Sequence, residues 1–451
     1  MTTTLTRHEQ YLADFRALEQ AADGSAPAWL RQLRQEGMAR FEQLGFPTAR
    51  RGNEKWKYTN VAPIADAAFR YSASPKTSGV KATALRRVAP WRKEWTTLVF
   101  VDGRYAPALS SAPSDGGGLR VASLAEAFRT DEALVQQHLA KHVAFEDDGF
   151  AALNTAFLSD GAFVHAAGGE EHAPVHLLFV ATDSAQPQVA YPRTLVVTER
   201  NTKLKLVETY VGLGEGAYFN DAVTEVVVGD GSAVDHYKVT LESANAFHVA
   251  MTRATVGQDA LFSTTAFAKG AALARHDLHM ALAERGSSCK LNGLHLTAGR
   301  EHIDNHVQID HAAPYSQSYQ YVKGILTGTS HAVYTGRVLI RKGAVKSNAR
   351  QADKNLILSE RAEVDTKPSM EIYCDDVKAT HGATAGQIAE AEEQIFYMRS
   401  RGLDPKAAGA LLIRGFVKEI LDTVKLEPLR AFLDGVTDKA LPEFQFQGFG
   451  G

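Results

Sequence analysis

The sequence predicts a mainly β chain in which a β-solenoid, or β-helix, core stands between helical N- and C-terminal regions, and three observations lead there. From about Phe163 onward, short runs rich in Val, Leu, Thr and Tyr alternate with Gly, Asp, Ser and Asn turns. Within that stretch a small or polar pair followed by an apolar residue recurs in TKLKL, SAVDH, DALFS, CKLNG, HAVYT and AEVDT. Helical periodicity, nearly absent from the middle, is present on both sides of it.

The recurring apolar residues are Leu204, Val234, Leu261, Leu291, Val333 and Val364, separated by 30, 27, 30, 42 and 31 residues. A period of roughly 30 residues is what stacked β coils produce, because each coil can bury its apolar face only against its neighbours. Propeller blades run to roughly 40 to 50 residues, longer than four of these five intervals. The 42-residue interval, containing NGLHLTAGREHIDNHVQIDHAAPYSQSYQ, is read as a coil carrying an inserted excursion.

The elements divide the 451 residues into an N-terminal helical and mixed region over 1–150, the β-helix core over 151–385 and a C-terminal helical domain over 386–451. In HEQYLADFRALEQ the apolar Tyr11, Leu12, Phe15 and Leu18 recur at three- and four-residue steps, one face of a helix. GLGEG, Gly212 to Gly216, lacks the last glycine of a dinucleotide fingerprint and runs on into strand, so it reads as a coil turn. After Gly386 helices return. QIAEAEEQIFYMRSRG ends on basic residues and Gly402, and Asp404 with Pro405 opens LDPKAAGALLIRGFVKEILDTV as N-cap and first helical residue. Its apolar stripe, Ala408, Leu411, Leu412, Val417 and Ile420, is wide enough to dock, either on its own domain or on a partner.

Charge and cysteine usage narrow the function classes. The 49 basic and 52 acidic residues leave a net charge of −3, without the basic excess a nucleic-acid partner calls for. Cys289 and Cys374 are the only thiols and form no C-x-x-C pair, which fits a reducing, cytoplasmic setting. Apolar runs such as VHLLFVA fall far short of the roughly 18 residues of a bilayer span, and the charged N-terminus MTTTLTRHEQ has no signal-peptide core, so no membrane is expected. With no Gly-Lys dipeptide there is no phosphate-cradling loop, and ATP binding by that route is excluded. G-x-S-x-G and H-E-x-x-H are likewise absent.

Two polar constellations remain. In REHIDNHVQIDH, Arg300 to His311, a strand puts Ile303, Val307 and Ile309 on one face and His302, Asp304, His306, Gln308 and Asp310 on the other. His302 and His306 then lie roughly 13 Å apart, too far to grip one metal unaided, and a solvated face or subunit contact is expected. In EIYCDDVKATHGATAG, Glu371 to Gly386, a strand reading of EIYCDDVK aligns Cys374 with Ile372 as a small buried hydrophobe, and THGATAG reads as a turn that presents His381. A neutral ring nitrogen there is able to serve iron or zinc, but one histidine cannot close a site.

These residues carry a resemblance. DTKPSMEIYCDDVKATHGATAGQI with EEQIFYMRSRGL, together with KNLILSERAEVDTKP and NEKWKYTN, Asn53 to Asn60, resembles the SufB/SufD family, the scaffold subunits of SUF iron–sulfur cluster assembly. Chain length, NEKWKYTN and the small cysteine count are similar to the SufD branch. The resemblance implies a right-handed parallel β-helix core between helical regions, and a non-catalytic subunit that assembles with a SufB-like sister and with SufC, an ABC-type ATPase docked on the C-terminal helical domain. A homodimer of the isolated chain is compatible with it. It also implies a transient iron or Fe–S cluster at the subunit interface, where the family's K-C-S-H-G histidine maps onto His381. The cysteine that relatives often carry two residues before that histidine is Ala379 here, and Cys374 is a doubtful substitute. Two rival readings are a β-helix carbohydrate-active enzyme using Asp375 and Asp376, and a SufB-like sulfur acceptor using Cys289.

Overall fold

The computed structural model describes residues 5–21, 26–49, 53–67, 69–72, 79–111, 115–168, 171–184, 186–387 and 392–444. From Lys203 on, consecutive strands of nine to eleven residues alternate between two sheets. Each pairs in parallel with the strand two places further along the chain, so that Lys203–Gly212 pairs with Ala233–Leu241 and Tyr218–Val228 with Phe247–Val256. This is a parallel β-solenoid of two strands per coil. The N-terminal region takes part in it: Thr96–Val101 extends one sheet and Leu119–Ser123 the other.

Register explains part of the recurrence in the sequence: Leu204, Val234, Leu291 and Val364 face inward, whereas Leu261 and Val333 face outward. One inward column runs Leu204, Val234, Phe262, Cys289, Ser318, Ala349, Ala379, at steps of 27 to 31 residues. Leu204, Val234, Phe262 and Cys289 sit in the lumen core with Leu206, Leu291, Val226 and Met280. Alternation of side chains sends one residue in two to this lumen.

The 42-residue interval is not an insertion. Leu291 lies on Ser288–Thr297 in one sheet, whereas Val333 lies on His331–Ile340 in the other, with His302–His311 and Gln317–Leu326 between them. The interval is one and a half regular coils. The pattern changes sheet and face there, since Val333 is the register partner of the outward-facing Asp304.

Each outer face has its own cover. Helices Ala28–Leu44 and Gly149–Ala156 bury Met38, Phe41, Phe150 and Leu153 against Val223, Val249 and Met251 of one sheet. Gly37 lets these helices meet, since a Cβ there would lie 2.8 Å from the Ala156 nitrogen. Asn154 donates to the Pro192 and Asp221 carbonyls at 3.1 and 2.7 Å and accepts from Arg193 at 3.0 Å. Arg193 also pairs with Glu225, both wholly buried. On the other sheet, Pro405–Leu421 and Glu427–Ala440 pack Val417, Ile420, Leu429 and Leu433 onto Val207, Val239, Phe267 and Leu296. Asp404 caps the first of these, accepting from Lys406 and Ala407 at 2.9 and 3.0 Å.

The apolar stripe of that helix is divided. Ala408, Val417 and Ile420 serve the chain's own core, while Leu411 remains 53% exposed, with Phe396 and Tyr397 of Glu392–Ser400 exposed nearby in sequence. GLGEG is a loop, as expected: Asp183 accepts from the Gly216 nitrogen at 2.9 Å and fills the space above Gly214. Among the described residues no helix is long and apolar enough to cross a membrane.

Candidate functional site: the last rung of the solenoid

The stretch Glu371–Gly386 folds differently from the sequence reading. Its first strand ends at Ile372, Tyr373–Val377 forms the turn, and Lys378–Gln387 is a strand. His381 therefore lies within a strand rather than in a turn. Small residues and two glycines give KATHGATAGQ little strand propensity of its own. It is held extended by pairing along its whole length with Asn348–Ile357.

Lys378–Gln387 and Glu363–Ile372 are the ends of their sheets. His381 pairs in register with Gln351 and continues the inward column Leu206, His236, Thr264, Leu291, Gln320, Gln351. It is exposed, whereas Gln320 and Gln351 beneath it are buried. The floor under the histidine is polar: Gln351 donates to the Tyr334 hydroxyl at 3.0 Å, and that hydroxyl donates to Gln320 at 3.0 Å. Next on the same strand, Asp353 accepts from Asn355 at 2.7 Å. Burial pushes the Asp353 carboxyl up to about 6, and hydrogen bonding draws it only part of the way back. Among the described residues, the arrangement offers one accessible imidazole over buried amides and an acid, with no further rung stacked on it.

The other residues singled out in the sequence are not gathered around it. Cys374 is half-buried in the turn and packs with Met370, Val377 and Ala379 against Val338, Ile340 and Ala349. Asp375 and Asp376 are exposed neighbours in that turn, and Asp376 pairs with Lys346 at 2.8 Å. Cys289 is buried in the lumen column, where desolvation drives its thiol far above the ordinary range. A thiol so placed stays protonated and unreactive at neutral pH.

REHIDNHVQIDH is a regular strand with the expected faces, Val307 and Ile309 entering the lumen core. Its outer face is not simply solvated. NEKWKYTN lies over it and its neighbours: Thr59 donates to Asp304 at 2.6 Å and meets His302 Nε2 at 3.0 Å. Lys55 pairs with Asp148 at 2.8 Å and Asp277 at 2.9 Å, and the Arg275 guanidinium stacks 4.0 Å from the Trp56 ring while pairing with Asp304. Glu54 reaches the last rung through Lys367 at 3.0 Å. His302 and His306, both lowered to about 4 chiefly by burial, are neutral and are not brought together.

A polar network inside the lumen escaped sequence reading. Glu208 accepts from Thr194, Tyr210, Thr224 and His236 at 2.7 to 3.1 Å, with Lys238 at 3.7 Å. Burial raises the Glu208 carboxyl, but the Lys238 charge and these donors outweigh it and keep it ionised. Glu242 likewise accepts from Tyr218, Asn220 and His248 at 2.5 to 3.1 Å. The signal was present as polar residues at inward positions of KLKLVETY and SAVDHYKVT, but Thr194, Thr224 and His236 reach Glu208 from other strands, 14 to 28 residues away.

Comparison with known proteins matches these features to one family. Residues 179–416 match the model described as SUF system FeS cluster assembly, SufBD core domain, and residues 5–173 match the SufBD protein N-terminal region. An iron-sulfur cluster assembly SufBD family protein of Synechocystis sp. is 32% identical over 434 residues, 93% of either chain. The iron-sulfur cluster assembly protein SufD of Escherichia coli is 29% identical over 402 residues, covering 88% of this chain and 89% of that one. SufD of Bacillus subtilis is 27% identical over 454 aligned positions, 97% and 98% of the two chains. With a core model that spans more than half of its length, this chain belongs to the SufBD family of SUF-system iron–sulfur cluster assembly proteins.

Proposed function

We propose that this chain is a SufD-type scaffold subunit: non-catalytic, cytoplasmic, and joined through its last rung to a SufB-like sister subunit. The observation that carries this reading is the uncovered terminal coil, where His381 ends an inward column over the polar floor of Gln351 and Asp353. Strand edges and lumen ends left unpaired invite another chain to stack. In the assembled interface His381 would give iron, or a nascent cluster, one imidazole ligand, and the remaining ligands would come from the sister subunit. Iron here is cargo in transit.

The C-terminal helices supply the docking surface for a SufC-like ATPase, through Leu411, Phe396 and Tyr397, which their own domain does not cover. The carbohydrate-active reading loses ground, since Asp375 and Asp376 are chain neighbours in one turn rather than carboxylates facing across a cleft. The sulfur-acceptor reading loses ground with Cys289 sealed in the lumen. The test is to purify the tagged chain with co-expressed SUF partners, wild type and His381→Ala, and measure cluster formed per complex. Loss of cluster with the complex intact supports the ligand role; an unchanged yield removes it, and a chain that emerges alone removes the scaffold reading.

A further inference from the structure

The outer face of the last two rungs carries a second group of metal-ligating side chains, separate from His381. Parallel pairing places His331 beside Glu363, and Asp365 follows Glu363 on the same face of its strand. One ligand atom from each of His331, Glu363 and Asp365 lies within 4.8 Å of the other two. His331 Nε2 and Asp365 Oδ2 are 2.8 Å apart. With bonds of roughly 2.0 to 2.2 Å to a tetrahedral metal, ligand atoms sit roughly 3.3 to 3.6 Å from one another, so side-chain rotation alone closes the set.

We infer that His331, Glu363 and Asp365 form a binding site for a divalent transition-metal ion of the zinc type, which clamps the strand His331–Ile340 to the terminal strand Glu363–Ile372. The donor set of one imidazole and two carboxylates suits such an ion, and its open fourth position is left to water. The His302 ring packs edge-on against the His331 ring, their centroids 4.8 Å apart. The Lys57 ammonium donates to the Tyr58 hydroxyl at 3.1 Å and stays outside the ligand set. This site is independent of the role proposed for His381.

The test is calorimetric titration of the chelator-treated full chain with zinc chloride, beside thermal melting with and without zinc. The wild type is expected to bind one ion that His331→Ala and Asp365→Asn each weaken at least tenfold, and that His381→Ala leaves in place. Zinc raises the melting temperature of the wild type and not that of the His331→Ala/Asp365→Asn double variant. Circular dichroism of the exposed-residue variant Glu363→Gln, which should bind as weakly while melting like the metal-free wild type, separates ligand loss from misfolding. Equal zinc binding by the wild type and the double variant, or loss of binding only in His381→Ala, overturns the proposal.

Discussion

His381 stands directly over Gln351, the two being register partners on the last pair of strands in one sheet, and only the lower of the two is buried. A side chain in that place is cheap to change for the fold and costly to change for anything that docks on it. His381→Ala should alter the unfolding free energy by no more than about 0.5 kcal/mol, the range for exposed positions without a special role. Urea unfolding of the isolated chain checks this; a loss of several kcal/mol would mean that His381 supports the last rung itself.

The Arg193–Glu225 pair ties the first coils to the N-terminal cover, since Glu225 also accepts from the Ala140 and His142 nitrogens at 2.9 and 3.0 Å. Burial alone would raise the Glu225 carboxyl; the Arg193 charge and those amides overcome it and hold it below the ordinary value. Arg193→Met leaves that carboxylate buried without its counter-charge. A loss of about 3 to 5 kcal/mol is expected, read from the shift in denaturation midpoint.

How much of this was legible follows from the range over which each pattern acts. The coil period could be read because alternation repeats within each strand, and it fixed the solenoid without fixing which sheet a strand joined, as Leu291 and Val333 show. The strand at His381 reads locally as a turn because Gly382, Gly386 and three alanines disfavour it and only Thr380 and Thr384 favour it; stacking on Asn348–Ile357 decides it. The lumen pair of Glu208 with His236 and the outer-face pair of His331 with Asp365 join residues 28 and 34 positions apart, where only the register brings them together.

Asp353 and the buried histidines give the chain opposing responses to pH. The Asp353 carboxyl, ordinarily near 3.8, stands at about 6, so the folded state binds its proton more tightly than the unfolded state does. Its ionisation therefore costs nothing below pH 3.8, and the penalty grows between about pH 4 and 6. Asp353→Asn should raise stability at pH 7 by about 3 kcal/mol and remove that falling segment of the profile.

For the histidines the sign reverses. Burial lowers His295, His302, His306 and His311 to about 4, so the unfolded state takes up their protons first as the pH falls through 6.5. The stability they contribute is full above pH 6.5 and lost towards pH 4. His311 is a clear case, its two ring nitrogens engaged with Ser316 at 2.7 Å and Ser318 at 2.8 Å inside the lumen. At pH 5 the stability slope should approach about 1.4 kcal/mol per pH unit for each such histidine, and His311→Gln should remove about one share of it.

The C-terminal helix separates folding from docking within a single turn pattern. Ile420 is wholly buried against the solenoid and Leu411, on the same helix, is half-exposed. Ile420→Ala removes packed methyl groups from the junction with Phe267 and Leu296 and should cost about 2 to 4 kcal/mol. Leu411→Ala has little to lose in the isolated chain. If the exposed side of this helix receives the ATPase subunit, Leu411→Ala should leave the melting curve in place and weaken capture of that subunit at least fivefold. Pull-down titration beside thermal melting decides it: retained capture with Leu411→Ala moves the docking surface elsewhere, whereas a shifted melting curve would show that Leu411 packs more tightly than its exposure implies.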